Sequence, residues 1–343
     1  MAEKQLWLEP DYFADFHCKG GACRSSCCSG WDIAVDRNDY FRLIGLNCSE
    51  DLHRKLECAF RTPEYPTPER FRLISPNWLG RCPLQREDGL CALQCECGEA
   101  ALPEICRVYP RSFKREGSNL QACCSNSCEA VVERLMEEER LSFRLVEMDA
   151  PVEISEDARP EIGKIIHECI VKLQNREESL DARIKDICTM LAGERDILRG
   201  PGALDLLMEY LSEMRSESRN LCEYGAAAFE RYAGSSAWEN FCADRTAFEA
   251  AVPDYPRIFE NVLANHIVYE DFPHADPRLD EADACAGLFL LYSAMTALSA
   301  AHLRRNPGRE ALADVLAGLF HLAEHSAFYY NARVLTRGEW ILP

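Results

Sequence analysis

Apolar residues recur at intervals of three and four over most of the chain after residue 160, and that spacing predicts amphipathic helices. Ile162, Ile165, Ile166, Cys169, Ile170 and Leu173 fall on one face, with Pro160 placed to open the turn. Leu180, Ile184, Ile187 and Leu191 repeat the pattern, as do Leu204, Leu207, Met208 and Leu211, then Phe259, Val262, Leu263, His266 and Ile267, and finally Leu312, Val315, Leu316, Leu319 and Phe320. Ala284–Leu303 carries no Asp, Glu, Lys or Arg. It is long enough to span a bilayer, but its serines, threonine, tyrosine and histidine and the lack of a similar neighbour favour the central helix of a bundle. No run of alternating strands and no long-period repeat is visible.

The first part of the chain has a different texture. Gly20-Gly21, Pro63, Pro66, Pro68, Pro76 and Pro83 interrupt it, which predicts short helices and irregular connections. Residues 147–160 are acidic, hold two prolines and lack helical periodicity, and read as a linker. The expected organisation is two domains, 1–148 and 149–343. The fold class is mainly α, with an irregular cysteine-rich metal-binding N-terminal half packed on a helical C-terminal half.

Cysteine changes the picture most. Of nineteen cysteines, fourteen fall between Cys18 and Cys128, and such density needs disulfides, zinc or an iron–sulfur centre to explain it. The opening residues show no basic segment followed by an apolar run, so no secretory signal is expected and a cytoplasmic, thiol-reducing setting follows. The odd count and a length sufficient for an ordinary core weigh against disulfide staples. C-x-x-C is absent, which weakens a zinc-ribbon reading, and ferredoxin spacing is absent too. A site assembled from distant thiolates, about four in number, remains, with an irregular zinc site as its alternative.

Lysine plus arginine total 38 against 57 aspartate plus glutamate, a formal charge of −19. That surface repels nucleic-acid phosphates, so nucleic acid is not an expected partner, and neither is a membrane. It attracts lysine-bearing protein surfaces, although acidity also serves solubility alone.

His321-Leu322-Ala323-Glu324-His325 fits the H-x-x-E-H metallopeptidase arrangement, which needs a further acidic ligand downstream; a structural role on a packed helix is the expected one. Gly200-Pro201-Gly202 is a turn without the strand a dinucleotide-type loop requires. Cys169, Cys188, Cys222 and Cys285 read as core filler, and Cys242 is ambiguous.

The run Cys18…Cys23…Cys27-Cys28-Ser29-Gly30-Trp31-Asp32-Ile33 resembles the opening of the bacterial flagellin lysine N-methylase family, within a wider group of zinc- or iron-chelating cysteine-cluster proteins. The likeness continues through Gly80-Arg81-Cys82-Pro83-Leu84, Gly89-Leu90-Cys91, Leu102-Pro103-Glu104-Ile105-Cys106-Arg107-Val108-Tyr109-Pro110-Arg111 and Ser127-Cys128-Glu129-Ala130. It returns thinly at Phe259-Glu260-Asn261-Val262-Leu263-Ala264-Asn265-His266. Cys48, Cys58, Cys95, Cys97 and Cys123-Cys124 depart from the family pattern.

The resemblance implies N-methylation of flagellin lysines with S-adenosylmethionine and an iron–sulfur cluster of the 4Fe–4S kind, with zinc as the alternative. The metal ligands it implies are drawn from Cys18, Cys23, Cys27, Cys28, Cys82, Cys91, Cys106, Cys124 and Cys128. Trp31 is expected either to stack on an adenine or to lid the cysteine site. Arg107, Tyr109 and Arg111 offer donors to a carboxylate, the two arginines serving equally to compensate anionic thiolates, and Tyr109 is the candidate for touching the substrate amine. The rival expectation is a non-enzymatic zinc- or iron-chelating protein, a carrier or assembly factor using the same thiols.

Overall fold

An apolar stripe becomes a helix in space only where another surface covers it, and the stripes read after residue 161 find such surfaces. The computed structural model describes residues 5–116, 119–148, 162–216, 218–274 and 276–343. Fifteen α-helices occur among them, so the chain is mainly α. It divides into two compact units: residues up to Phe16 together with Arg111–Pro343 form one, and His17–Pro110 the other. The boundary expected at 148/149, and the linker from residue 149 on, lie outside the described residues. The units found meet instead at 16/17 and 110/111.

In the larger unit the helix Glu281–Leu303 is the centre. All but three of its residues are buried, which is why no Asp, Glu, Lys or Arg follows Asp283 in it. It is the one helix among the described residues long and apolar enough to cross a membrane, and here its apolar stretch lies inside protein. Leu180–Ala192, Ala237–Ala251, Arg309–His325 and Phe328–Thr336 all pack on it. Each Leu or Phe so buried contributes about 1.5–3 kcal/mol relative to exposure. Asp280 caps its start, accepting the Asp283 N–H at 2.8 Å. Gly287 is fixed by packing: a Cβ there would stand 2.1 Å from Cδ1 of Tyr329.

The helix Tyr255–Glu270 is buried from Ile258 to Val268, polar residues included. Glu260 sits between Arg183 Nη1 at 2.5 Å and Arg176 Nη2 at 2.9 Å. Asn261 Oδ1 accepts the Leu141 N–H at 3.0 Å, and its Nδ2 donates to the carbonyls of Leu135 at 3.1 Å and Glu138 at 2.7 Å. Buried polar groups are tolerable only when paired in this way.

Four strands form a sheet that the sequence reading did not foresee, in the order Arg111–Glu116, Asn119–Cys124, Gln5–Pro10, Phe143–Met148. The first pair is an antiparallel hairpin with Phe113 opposite Ala122, whereas Trp7 lies parallel to Leu120 and antiparallel to Val146. Alternation is missing for physical reasons. Residues 120–124 are buried on both faces, and buried Glu9 is an inward charge answered by cross-strand Arg144 at 2.9 Å.

The smaller unit, His17–Pro110, has its own core of Val35, Leu43, Leu52, Leu56, Ile74 and Leu93 among others. A three-stranded sheet, Ile33–Val35, Arg72–Ile74, Phe60–Arg61, packs with the helices Arg37–Ile44 and Glu50–Ala59. Asp36 and Ser49 cap these helices, as their sequence positions allow. Cys48, Cys82, Cys91 and Cys97 are half-buried against this core.

Candidate functional site

Short backbone ties in the smaller unit gather several of the expected metal ligands. The Cys82 N–H donates to the Cys28 carbonyl at 2.6 Å, and Gly30 to the Gly80 carbonyl at 3.1 Å. Gln85 pairs with Cys91 across an isolated bridge, and its Nε2 donates to Ser26 Oγ at 2.9 Å. The helix Glu104–Val108, which carries Cys106, is pinned by its Glu104 N–H to Asp39 Oδ2 at 2.8 Å and packs on the Ile33–Val35 strand. The result is one neighbourhood in which the Cys106 thiol feels Cys28, Cys82 and Cys91.

Burial pushes the Cys82 thiol up to about 12 and raises Cys91; Cys106 is exposed on its short helix, but partial desolvation of its thiol raises it too, and all three are further disfavoured by their thiol neighbours. Cys28 goes the other way, to about 7, because Cys27 and Ser26 hydrogen-bond to it. Among the described residues, no three Cys, His, Asp or Glu side chains already converge as a metal-holding group.

The other expected ligands are placed differently. Cys18 is exposed and accepts the Gly20 N–H at 3.3 Å; Cys23 is half-buried and Cys27 exposed. Cys124 and Cys128 belong to the larger unit, Cys124 buried at the end of a strand and Cys128 at the N-cap of the helix Glu129–Glu137. Cys169, Cys188 and Cys285 are buried as expected, but Cys222 is exposed: its sulfur bonds the Arg215 carbonyl at 3.2 Å at the edge of the short helix Arg219–Tyr224. Cys242 is exposed as well.

Trp31 and Tyr109 come together, ring centroids 5.3 Å apart and edge-on, with Trp31 Nε1 donating to the Cys27 carbonyl at 2.8 Å. Arg107 is exposed on its short helix. Arg111 is in the larger unit, where Nη2 donates to the Phe16 carbonyl at 2.7 Å and the guanidinium lies over the Phe16 ring.

The larger unit holds a second cluster, assembled from three segments that each stood out in the sequence. Ser125, Asn126 and Ser127 turn the chain from strand to helix. Asn265 Nδ2 donates to the Cys124 carbonyl at 2.8 Å and to Asn126 Oδ1 at 2.7 Å, while its Oδ1 accepts the Tyr12 hydroxyl at 2.6 Å. Glu324 enters from the helix Arg309–His325, its Oε2 accepting Ser125 Oγ at 2.6 Å. Its Oε1 is 2.9 Å from His266 Nδ1, and His266 Nε2 is 2.8 Å from the Tyr329 hydroxyl. Outward from Ser125, the Ser127 hydroxyl is 2.5 Å away and His325 Nε2 a further 2.8 Å.

The side chains of Glu324 and His266 are fully buried. Burial pushes the Glu324 carboxyl up to about 8 against the hydrogen bonds from Ser125 and the Asn126 and Ser127 N–H groups, and pulls His266 down to about 4. Near neutral pH the contact is therefore a hydrogen bond between uncharged groups rather than an ion pair. Sequence reading placed His266 in an apolar stripe and gave the His321–His325 motif, Glu324 included, a structural role on a packed helix. The signal that would have found them is a carboxylate and an imidazole at positions where both helices are otherwise apolar.

Over 136 residues, 37% of this chain, the sequence is 29% identical to a protein named lysine-N-methylase from Salmonella choleraesuis. It is 28% identical over 136 residues to a protein of the same name from Salmonella typhimurium. A protein named flagellar biosynthetic protein FliU, from Salmonella muenchen, is 27% identical over 136 residues that make up 75% of its length. The matched stretch covers 32% of each lysine-N-methylase, about a third of their length. No family model matches the chain, and no solved structure matches it significantly. The chain is thus similar over part of its length to proteins named lysine-N-methylase.

Proposed function

We propose that this protein transfers methyl groups from S-adenosylmethionine to lysine side chains of flagellin, and that its smaller unit holds a thiolate-ligated iron–sulfur cluster. The similarity to proteins named lysine-N-methylase carries the reading, and the FliU relative supports a flagellar target. The donor chemistry fits a cluster held by Cys28, Cys82, Cys91 and Cys106: the four thiols interact with one another, and loading the cluster displaces the protons held on Cys82, Cys91 and Cys106. Such a centre supplies one-electron chemistry when bound; zinc on the same thiols is the alternative. Cys18, Cys23, Cys27, Cys124 and Cys128 are left outside this core set.

A polar methyl transfer needs a neutral amine. Lysine ionises near ~10.4, so removing its proton at neutral pH costs about 4.6 kcal/mol unless the protein supplies a desolvated site or a base. Tyr109 contacts the amine in this reading, with Trp31 against the adenine and Arg107 toward the methyl donor's carboxylate. Arg111 is already engaged by Phe16.

The test is anaerobic purification with iron and sulfide analysis, followed by incubation with S-adenosylmethionine and unmodified flagellin. Expected are iron, acid-labile sulfide and a flagellin mass rising by one CH2 per methyl added. Serine at Cys28, Cys82, Cys91 or Cys106 should lower metal content, whereas serine at Cys169 or Cys188 should not. Loaded protein that leaves flagellin unmodified would refute the methylase and favour the metal carrier.

A further inference from the structure

Exposed apolar side chains are unevenly spread over the chain. Of the ten large ones among the described residues, six lie in the smaller unit, Trp78, Leu79 and Ile105 among them. Trp78 is the extreme at 91% exposed, and Leu79 beside it is 45% exposed. Scattered single hydrophobics on a surface are ordinary, but an indole held almost wholly in water with a leucine next to it calls for a reason.

The turn that carries them is built rather than slack. Asn77 Oδ1 accepts the N–H groups of Leu79 at 2.9 Å and Arg81 at 3.2 Å, and the Asn77 N–H donates to the Arg81 carbonyl at 2.7 Å. The Gly80 N–H returns to the Asn77 carbonyl at 2.8 Å, with Gly80 at φ +73°, where a side chain would strain the backbone. The segment from Asn77 to Arg81 thus closes on itself with Trp78 and Leu79 at its tip, so little conformational freedom is left to lose when something covers them. Its base is joined to the thiol neighbourhood: the Gly80 carbonyl accepts the Gly30 N–H at 3.1 Å, Ser29 pairs with Arg81, and the Cys82 N–H donates to the Cys28 carbonyl. Trp31, edge-on to Tyr109, follows Gly30 directly.

Charge selects what can cover the tip. Residues 17–110 hold 12 Lys or Arg against 13 Asp or Glu, so nearly all of the formal −19 belongs to the rest of the chain. A chain of that net charge repels nucleic acid, an anionic membrane and a second copy of itself, and it draws in a cationic protein. The near-neutral smaller unit lets an apolar tip be covered without stripping water from a dense layer of charge. We propose that the Asn77–Arg81 turn is the docking element for the lysine-bearing protein substrate, with Trp78 and Leu79 seated in an apolar patch of that protein. The inference rests on the lysine reading above for the identity of the partner. It places the contact in the same unit as Trp31 and Tyr109, one backbone hydrogen bond from the segment that carries Trp31. Tryptophan is enriched among the few residues that dominate protein–protein binding energy, and a preformed turn adds to what it delivers.

Binding of fluorescently labelled, unmodified flagellin to the full chain, without methyl donor, tests the docking. Trp78→Ser and Leu79→Ser should each raise Kd by roughly tenfold or more, with circular dichroism and metal content unchanged. Trp78→Phe should recover much of the loss. Val334→Ser, at another exposed apolar residue but in the larger unit, should leave Kd at the wild-type value. A wild-type Kd in both Trp78→Ser and Leu79→Ser would overturn the docking. So would binding to phosphatidylcholine vesicles, or self-association, that Trp78→Ser abolishes while flagellin binding is indifferent to it. Flagellin that binds in a Trp78-dependent way and is never methylated would remove the methylase reading alone. Methylation of flagellin with an unchanged KM in both serine variants would remove the docking alone.

Discussion

Glutamine at position 324 keeps the shape of the side chain and its bonds to Ser125 and His266 while deleting its titration. In the wild type the folded-state carboxyl lies at about 8, against 4.5 for an ordinary glutamate. The folded protein therefore holds a proton that the unfolded chain has lost, over the window between those values. Stability from this group is fully present below about pH 4.5 and declines as pH rises through 8, by about 1.4 kcal/mol per pH unit. From about pH 5 to about pH 8 the loss is about 4 kcal/mol. Glutamine has no such loss, so the variant should gain on the wild type by about that amount over the same range. Urea denaturation of both proteins across this range, compared at each pH, cancels the contributions of the histidines and cysteines that both share. A difference between the two that stays flat from about pH 5 to about pH 8 would refute the assignment of Glu324 as a buried, proton-holding acid.

Two further outcomes follow from packing. Glu260→Ala should destabilise the larger unit by about 3–5 kcal/mol, because Arg183 is left buried without its carboxylate; a loss under about 1 kcal/mol by denaturant titration would contradict the buried triad. Gly287→Ala should cost about 1–3 kcal/mol by driving a methyl into the Tyr329 ring. It should also shift the His266 imidazole resonances as the Tyr329 hydroxyl moves away, and unchanged resonances with an unchanged melting temperature would count against that contact.

The helices were legible because their stripes are long and face one core: Leu180, Ile184 and Ile187 are all buried as their spacing demands. The four-stranded sheet was not, because its second strand is covered on both faces and Glu9 puts a charge where alternation calls for an apolar residue. Local density found the cysteine-rich segment, but choosing among its thiols needed the fold. Nothing in the spacing says that Cys28 and Cys82 share a backbone hydrogen bond while Cys124 lies in another unit. The Glu324 cluster stayed hidden for a related reason. Its members come from residues 125–127, 266, 324–325 and 329, so only tertiary structure makes them neighbours.

The bond from Arg111 to the Phe16 carbonyl has a consequence for how such a chain is built and altered. That bond ties together the two places where the host chain is interrupted, so residues 17–110 leave and return at neighbouring points of the larger unit. A segment inserted as a guest between neighbouring points can lengthen, shorten or be exchanged with little strain on the chain it interrupts. It also sets an order of events at the ribosome. The strand Gln5–Pro10 emerges early but has no neighbours until Asn119–Cys124 and Phe143–Met148 follow, so the whole guest is available to fold while its host still waits for its own edges.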